Sequence, residues 1–265
     1  MLSLNITLNA NRGMMIEPAK ANAFFRRAAS LAEPQNSNLL AMLMGEAPKA
    51  QTVGSVALIP LKGVIGYDLS PMDKALGMVD LKDFNAQFQA ALADPAIKSI
   101  LIDADTPGGY TVGVEESAAM VKNSTKPVET FGANINSAGL WIGGMASRVW
   151  GMASGTYGSI GAVASIADYS KAFADAGIKV HVISSGWAKG AGYEGAEVTQ
   201  EQLDFMKADI MENAQVFKND LKSVRKSIPE EAMNGQWYSG RKAASLGIIT
   251  GIAPNIESII NRLNA

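Results

Sequence analysis

One serine stands where an apolar strand gives way to a glycine-rich helix, in Ala133-Asn134-Ile135-Asn136-Ser137-Ala138-Gly139-Leu140-Trp141-Ile142-Gly143-Gly144. A hydroxyl at a helix start lies beside unpaired backbone N–H groups and the positive end of the helix dipole, which favour negative charge developing on a neighbouring oxygen. Nucleophilic attack by such a serine also needs a base for its proton and donors for the oxyanion. The chain has a single histidine, His181, whose setting in Lys179-Val180-His181-Val182-Ile183 reads as a strand and favours a structural imidazole. The better base is Lys189, among the small and apolar residues of Ser185-Gly186-Trp187-Ala188-Lys189. A lysine accepts a proton only when neutral, so its pKa must fall from about 10.4 toward ~7–8, which burial against apolar groups supplies. Upstream, Ile100-Leu101-Ile102-Asp103-Ala104-Asp105-Thr106-Pro107-Gly108-Gly109 runs a strand into a turn whose glycines let the backbone come close to a ligand. Each feature alone has an ordinary reading, as an N-cap, a turn or a solvated lysine. Their combination points to acyl-transfer chemistry.

The composition removes several other classes. One histidine and no cysteine leave only scattered carboxylates without ligand spacing, so no metal is expected. The glycine-rich runs lack the companions of a P-loop or a dinucleotide fingerprint, and no cofactor is expected. A net charge of −2 from 23 basic and 25 acidic residues, without blocks of either sign, argues against nucleic-acid binding. The absence of cysteine is compatible with a reducing compartment, and a cytoplasmic location is the expectation. Asn5, Asn9, Asn11 and Arg12 interrupt the N-terminus before any run long enough for a signal peptide or membrane span. Membrane association is therefore not expected.

The elements that must position these residues follow from periodicity. At 265 residues the chain is long enough for one large domain with an appended segment. Gly45-Glu46-Ala47-Pro48-Lys49 reads as a linker, dividing an N-terminal helical extension, residues 1–50, from a domain over 51–265. Within the extension, residues 17–32 have an amphipathic helical pattern suited to packing or assembly. From Val53 the text turns β-rich. Leu81, Phe84, Phe88, Ala91 and Leu92 then predict a helix closed by Asp94-Pro95. Strand and helix continue to alternate, with a helix over 112–122, a strand at 128–131, a helix from Ser137 and a short strand over 149–152. The expectation is an α/β fold with largely parallel pairing. Residues 155–163 read as a glycine-rich loop shaping the site, 168–176 as a helix and 179–184 as a strand. Leu203, Met206, Ile210, Ala214, Phe217, Leu221 and Val224 step by three or four, predicting one long helix with a continuous apolar stripe for the core or a second subunit.

Five segments, in order and spacing, resemble the signal peptide peptidase A family of serine peptidases, peptidase family S49. They are residues 102–109, Asn136-Ser137-Ala138-Gly139, Gly158-Ser159-Ile160-Gly161, residues 185–189, and Gln236-Trp237-Tyr238-Ser239-Gly240 with the following Arg241 to Ile248. The resemblance spans roughly residues 53–253 and implies the fold shared by the Clp protease and crotonases, a repeated ββα core, here with an added N-terminal segment and a long helix in the C-terminal half. It implies Ser137 as nucleophile and Lys189 as general base of a Ser–Lys dyad, with Ser159 holding the lysine. Backbone N–H groups of Gly109 and Ala138 would form the oxyanion hole, and Gly108 would allow the turn. Thr106 and Ala138 replace a serine and a glycine common in the family, and the second change narrows the substrate pocket.

Family members that clear signal peptides are usually membrane-anchored. Anchorless relatives of this size are similar to phage head maturation proteases, which implies a homo-oligomeric endopeptidase processing scaffold or capsid protein in the host cytoplasm or the virion precursor. Three other expectations stand beside it: a cytosolic housekeeping peptidase, a crotonase-type acyl-CoA enzyme, and a non-catalytic assembly protein.

Overall fold

The computed structural model describes the backbone of Met14–Ile16 and residues 49–265; the expected helix over 17–32 lies outside the described residues. The main sheet is built from β2 (Gln51–Val53), β3 (Val56–Lys62), β6 (Ser99–Thr106), β8 (Val128–Asn136), β9 (Arg148–Gly158) and β10 (Trp237–Ser239), in the order β10-β9-β8-β6-β3-β2. The four central strands, β3, β6, β8 and β9, run parallel. A parallel sheet is covered on both faces, and its strands read as near-continuous apolar runs. Alternation sorts the side chains of Ser99–Thr106 accordingly. Ile100 and Ile102 enter the larger core cluster with Phe84, Phe88 and Trp141, whereas Leu101 joins Val56, Phe131 and Ile260 on the other face. The latter face is closed by the C-terminal helix, Ile256–Asn264. Buried Glu129 locks that helix by pairing with Arg262 and accepting from Trp150 Nε1 at 2.6 Å.

A second, smaller sheet carries the glycine turn. It has the order β1-β7-β4-β5, from β1 (Met14–Ile16), β7 (Gly108–Tyr110), β4 (Ile65–Gly66) and β5 (Val79–Asp80). Strand–strand–helix units therefore repeat: β3 and β4 lead into α2 (Leu81–Ala93) by way of the short α1 (Pro71–Ala75) and β5, and β6 and β7 lead into α3 (Val114–Lys122). This is the expected α/β core with its repeated ββα units. Asp80 fixes one junction by N-capping Leu81–Ala93, accepting from the amides of Asp68, Leu69 and Lys82 and from Lys74 Nζ at 3.0 Å. Burial pulls its carboxyl upward, but Lys74 and the three amides outweigh this and hold it below the ordinary value.

Two stretches differ from their sequence reading. Residues 155–158, expected in a loop, are the end of the long strand Arg148–Gly158. The strand holds because the extra residues before Thr156 are absorbed by a register shift, and buried Tyr157 ties them down by donating to Gly132 O and accepting from Met152 N. Second, residues 179–184 form no strand. Among the described residues they pair with no strand, and Val182, Ile183 and His181 lie exposed. The expected helix nearby is present as α5 (Ser170–Asp175).

Candidate active site

Ser137 ends β8 and starts the short helix α4 (Ala138–Gly144), every residue of which is buried. The chain turns this corner with Ser137 at φ +53°, ψ −124°, a conformation that L-residues rarely adopt and that surrounding structure must enforce. Its amide donates to Gly158 O at 2.8 Å, and its carbonyl accepts from Trp141 N at 2.9 Å. Its side chain makes no cap bond to the helix, and among the described residues its buried Oγ has no hydrogen-bond partner. The hydroxyl is therefore not engaged in capping the helix, although Ser137 stands at its N-cap position. A buried hydroxyl left unpaired at a strained corner is a candidate nucleophile.

The helix behind it is held from three sides. Thr130 Oγ1 donates to Gly143 O at 2.8 Å from the strand below. From the long helix α6 (Gln200–Val224), Phe217 stacks on Trp141 with centroids 4.9 Å apart, and Asp220 accepts from Trp141 Nε1 at 2.8 Å. Arg225, at the C-cap of that helix, donates through Nε to Gly144 O and through Nη2 to Ala146 O, both at 2.9 Å. Burial pushes its guanidinium down to about 10. It therefore satisfies the last carbonyl of the Ser137 helix and one just beyond it, groups a helix end otherwise leaves unpaired. Asp220 and Arg225 are supports that sequence reasoning missed, since only their apolar neighbours entered the periodic stripe.

The expected oxyanion segment lies beside this corner. Gly108–Tyr110 packs against the Ser137 helix, and Ala138 is fully buried. Gly108 has φ +101° and its amide donates to Thr106 Oγ1 at 3.1 Å. A Cβ on Gly109 would run into the backbone of Ile65, so only glycine fits there. The methyl of Thr106 occupies the place a Cβ on Gly139 would take, which pairs the threonine with that glycine. Ser159, with φ +54°, is the next residue after the strand Arg148–Gly158 and is tied by its amide to Gln236 O.

A cavity of about 350 Å3 opens on Ser137 and Ser159. Its walls are mainly apolar, from Ile160, Val163, Ile210, Met211 and Met233, and Lys218 stands in the lining. Lys218 Nζ donates to Asn234 Oδ1 at 3.2 Å. Lys189 is elsewhere, exposed, and is not in this lining. Its segment is anchored to the first turns of the long helix, where Gln202 Nε2 donates to Trp187 O at 2.7 Å and Trp187 meets Phe205 edge-on at 5.5 Å. Phe205 and Phe217 are separated by about 18 Å along the helix axis at 1.5 Å per residue, which sets apart the anchor points of the Lys189 and Ser137 segments. The structure thus brings together Ser137, Ala138, Gly108, Gly109 and Ser159, and leaves Lys189 outside.

The family model described as peptidase family S49 matches residues 120–264, more than half of the chain. The chain belongs to peptidase family S49. Capsid assembly protease C of Escherichia phage lambda is 25% identical, over 94% of this chain and 62% of that protein. Head-tail preconnector protein GP5 of Enterobacteria phage P21 is 30% identical, over 76% of this chain and 45% of that protein. A putative signal peptide peptidase SppA of Enterococcus faecium is 25% identical, over 67% and 54%. The S49 chain therefore spans about half to three-fifths of the length of these relatives. Among solved structures it is similar to a ClpP1 mutant from Listeria monocytogenes, with TM-score 0.49 and 14% identity over 76% of this chain and 94% of that one. An enoyl-CoA hydratase from Shewanella pealeana gives TM-score 0.49 and 10% identity over 84% and 77%. Among the described residues of this S49 chain there is no helix long and apolar enough to cross a membrane, and no cluster of three or more potential metal ligands.

Proposed function

We propose that the chain is a serine endopeptidase that uses Ser137 and Lys189 as a dyad to process a protein of an assembling phage head. The observation that carries the chemistry is the unpaired, buried Ser137 hydroxyl at its strained corner, open to an apolar cavity. The S49 family and the names of the two phage relatives support the substrate class. In the reaction, Ser137 Oγ attacks the scissile carbonyl while the Lys189 amine takes its proton. The N–H groups of Gly109 and Ala138 hold the oxyanion. The tetrahedral species expels the leaving amine, which receives the proton from lysine, and water then hydrolyses the acyl-enzyme with lysine again as base.

The dyad requires Lys189 to be carried to a Ser137 cavity. The segment 162–199 that bears it exposes Val163, Tyr169, Ile178, Ile183 and Tyr193, and Ile183 is 98% exposed. Such a surface calls for burial against another copy of the chain, and assembly is the event that closes the site. Ser137→Ala, Lys189→Ala and the double variant test the reading on casein. Each single variant loses at least about a thousandfold in kcat/KM, and the double variant loses little more, because residues acting in one step are non-additive. His181→Ala keeps the activity of the unchanged chain. Full activity in Lys189→Ala with loss in Lys218→Ala would move the base to the lysine already in the cavity.

A further inference from the structure

Three residues from the N-terminal extension complete the small sheet. Met14, Met15 and Ile16 pair antiparallel with Tyr110, Gly109 and Gly108. The opposite edge of Gly108–Tyr110 belongs to Ile65–Gly66 through Gly109 and Ile65. Met14–Ile16 therefore cover the one edge of the glycine strand that the core leaves open. That strand also supplies Gly109, whose N–H the proposed reaction assigns to the oxyanion, and it packs against the Ser137 helix. A backbone laid on Gly108–Tyr110 pairs with the strand that packs on the Ser137 helix. Two glycines in a row let it come close, and an edge strand recruits an extended peptide through main-chain hydrogen bonds, with little demand on sequence.

We infer that Met14–Ile16 occupy the place of the substrate strand, so that the extension is a built-in inhibitor that a protein substrate displaces. The inference rests on the proposed function for its catalytic consequence, but the pairing itself is a property of the fold. Three residues form too short a ladder to be permanent. As a segment of the same chain it nevertheless competes at an effective concentration set by its tether, which disfavours dilute or weakly paired peptides. A substrate concentrated on an assembling shell, or one pairing over a longer stretch, overcomes it. The arrangement holds activity back until such a substrate is present.

The test uses the full chain. Successive residues of an antiparallel strand alternate in facing their N–H groups to the partner, so one of Met15→Pro and Ile16→Pro removes a ladder donor. Unchanged thermal melting checks that the fold is intact. Two readouts are taken: the rate at which a fluorophosphonate probe labels Ser137, and, in the Ser137→Ala background, binding of a fluorescein-labelled peptide copying residues 11–19. At least one proline variant is expected to label threefold faster or more and to bind the peptide threefold tighter or more than the unchanged chain. Equal labelling and equal peptide affinity in all three proteins would overturn the inference. Absence of labelling in every protein, with peptide affinity still raised by proline, would sink the serine reading and leave the docking in place.

Discussion

The two halves of the helix Gln200–Val224 share one apolar periodicity and have opposite fates. Phe217 and Leu221 are completely buried, and together with Asp220 and the adjoining Arg225 this half grips the helix that Ser137 begins. The first half leaves Leu203 of the stripe exposed and Met206 and Ile210 half-buried, exposes Phe205 at 56% and Met211 at 59% beside them, and carries the Lys189 segment through Trp187. One half is part of the folding core. The other is a platform of partly exposed apolar side chains that holds Trp187 and forms one wall of the Ser137 cavity. A stripe read from sequence reports that something packs on a helix, not that the same thing packs along its whole length. The same division separates the two members of the proposed dyad, since the nucleophile is built by the core and the base rides on the platform.

The largest test of that division is truncation in the buried half. Phe217→Ala removes a ring stacked on Trp141 and opens a cavity in the core, at an expected cost of about 3–5 kcal/mol in urea unfolding. Labelling of Ser137 by a serine-reactive probe should slow as well, because Trp141 loses a wall. A loss below about 1 kcal/mol would mean that the long helix is dispensable to the core and that the comparison fails.

Next in size is Arg225→Leu. It keeps much of the buried volume but removes the donors to Gly144 and Ala146, leaving buried carbonyls unsatisfied at about 2–3 kcal/mol. Arg225 does not touch the cavity lining, so as a positioning residue it should lower kcat with KM little changed. A purely structural arginine would lower the melting temperature and leave kcat per folded molecule intact.

Acid separates core from platform more gently. The Asp80 carboxyl is held below its ordinary value of 3.8, so the folded state favours its ionised form. The stability it contributes is present above that ordinary value and is lost as pH falls through the lowered folded value. Asp80→Asn should cost about 1 kcal/mol at neutral pH and flatten the acid limb of the stability curve measured by urea titration. An unchanged acid limb would show that Lys74 and the three amides do not hold the charge.

How far the sequence could be read follows the same line between local and distant causes. Alternation and glycine placement revealed the strand to Thr106, its glycine turn and the corner at Ser137, because each is set by neighbours a few residues away. Periodicity also found the helices Leu81–Ala93 and Gln200–Val224. It failed at 179–184, where a β-like pattern pairs with no strand among the described residues, since strands depend on partners that propensity does not supply. It also failed at 155–158, where Tyr157 and the register shift keep a glycine-rich run in the sheet. Asp220 and Arg225 were illegible as site supports because their partners, Trp141, Gly144 and Ala146, lie far off in sequence. The contact of Met14–Ile16 with Gly108–Tyr110 was hidden for the same reason.

The smallest expected change in chain stability, and the sharpest on assembly, lies in the exposed half. Leu203, Phe205 and Met211 gain little from folding, so Phe205→Ser with Met211→Ser should alter unfolding of the isolated chain by less than about 0.5 kcal/mol per site. If the platform is where copies meet, the same side chains yield about 25 cal/mol for each Å2 of apolar area buried, set against the cost of association. Losing two of them then weakens assembly far more than folding. Light scattering at tens of micromolar should show an oligomer for the unchanged chain and a smaller mass for the double variant. Casein hydrolysis should fall as well, but Met211 also lines the Ser137 cavity and Phe205 holds Trp187, so the mass is the readout that tests the interface. A double variant of unchanged mass would remove the platform from the interface. One that dissociates yet keeps full activity would show that Lys189 reaches a Ser137 within its own chain.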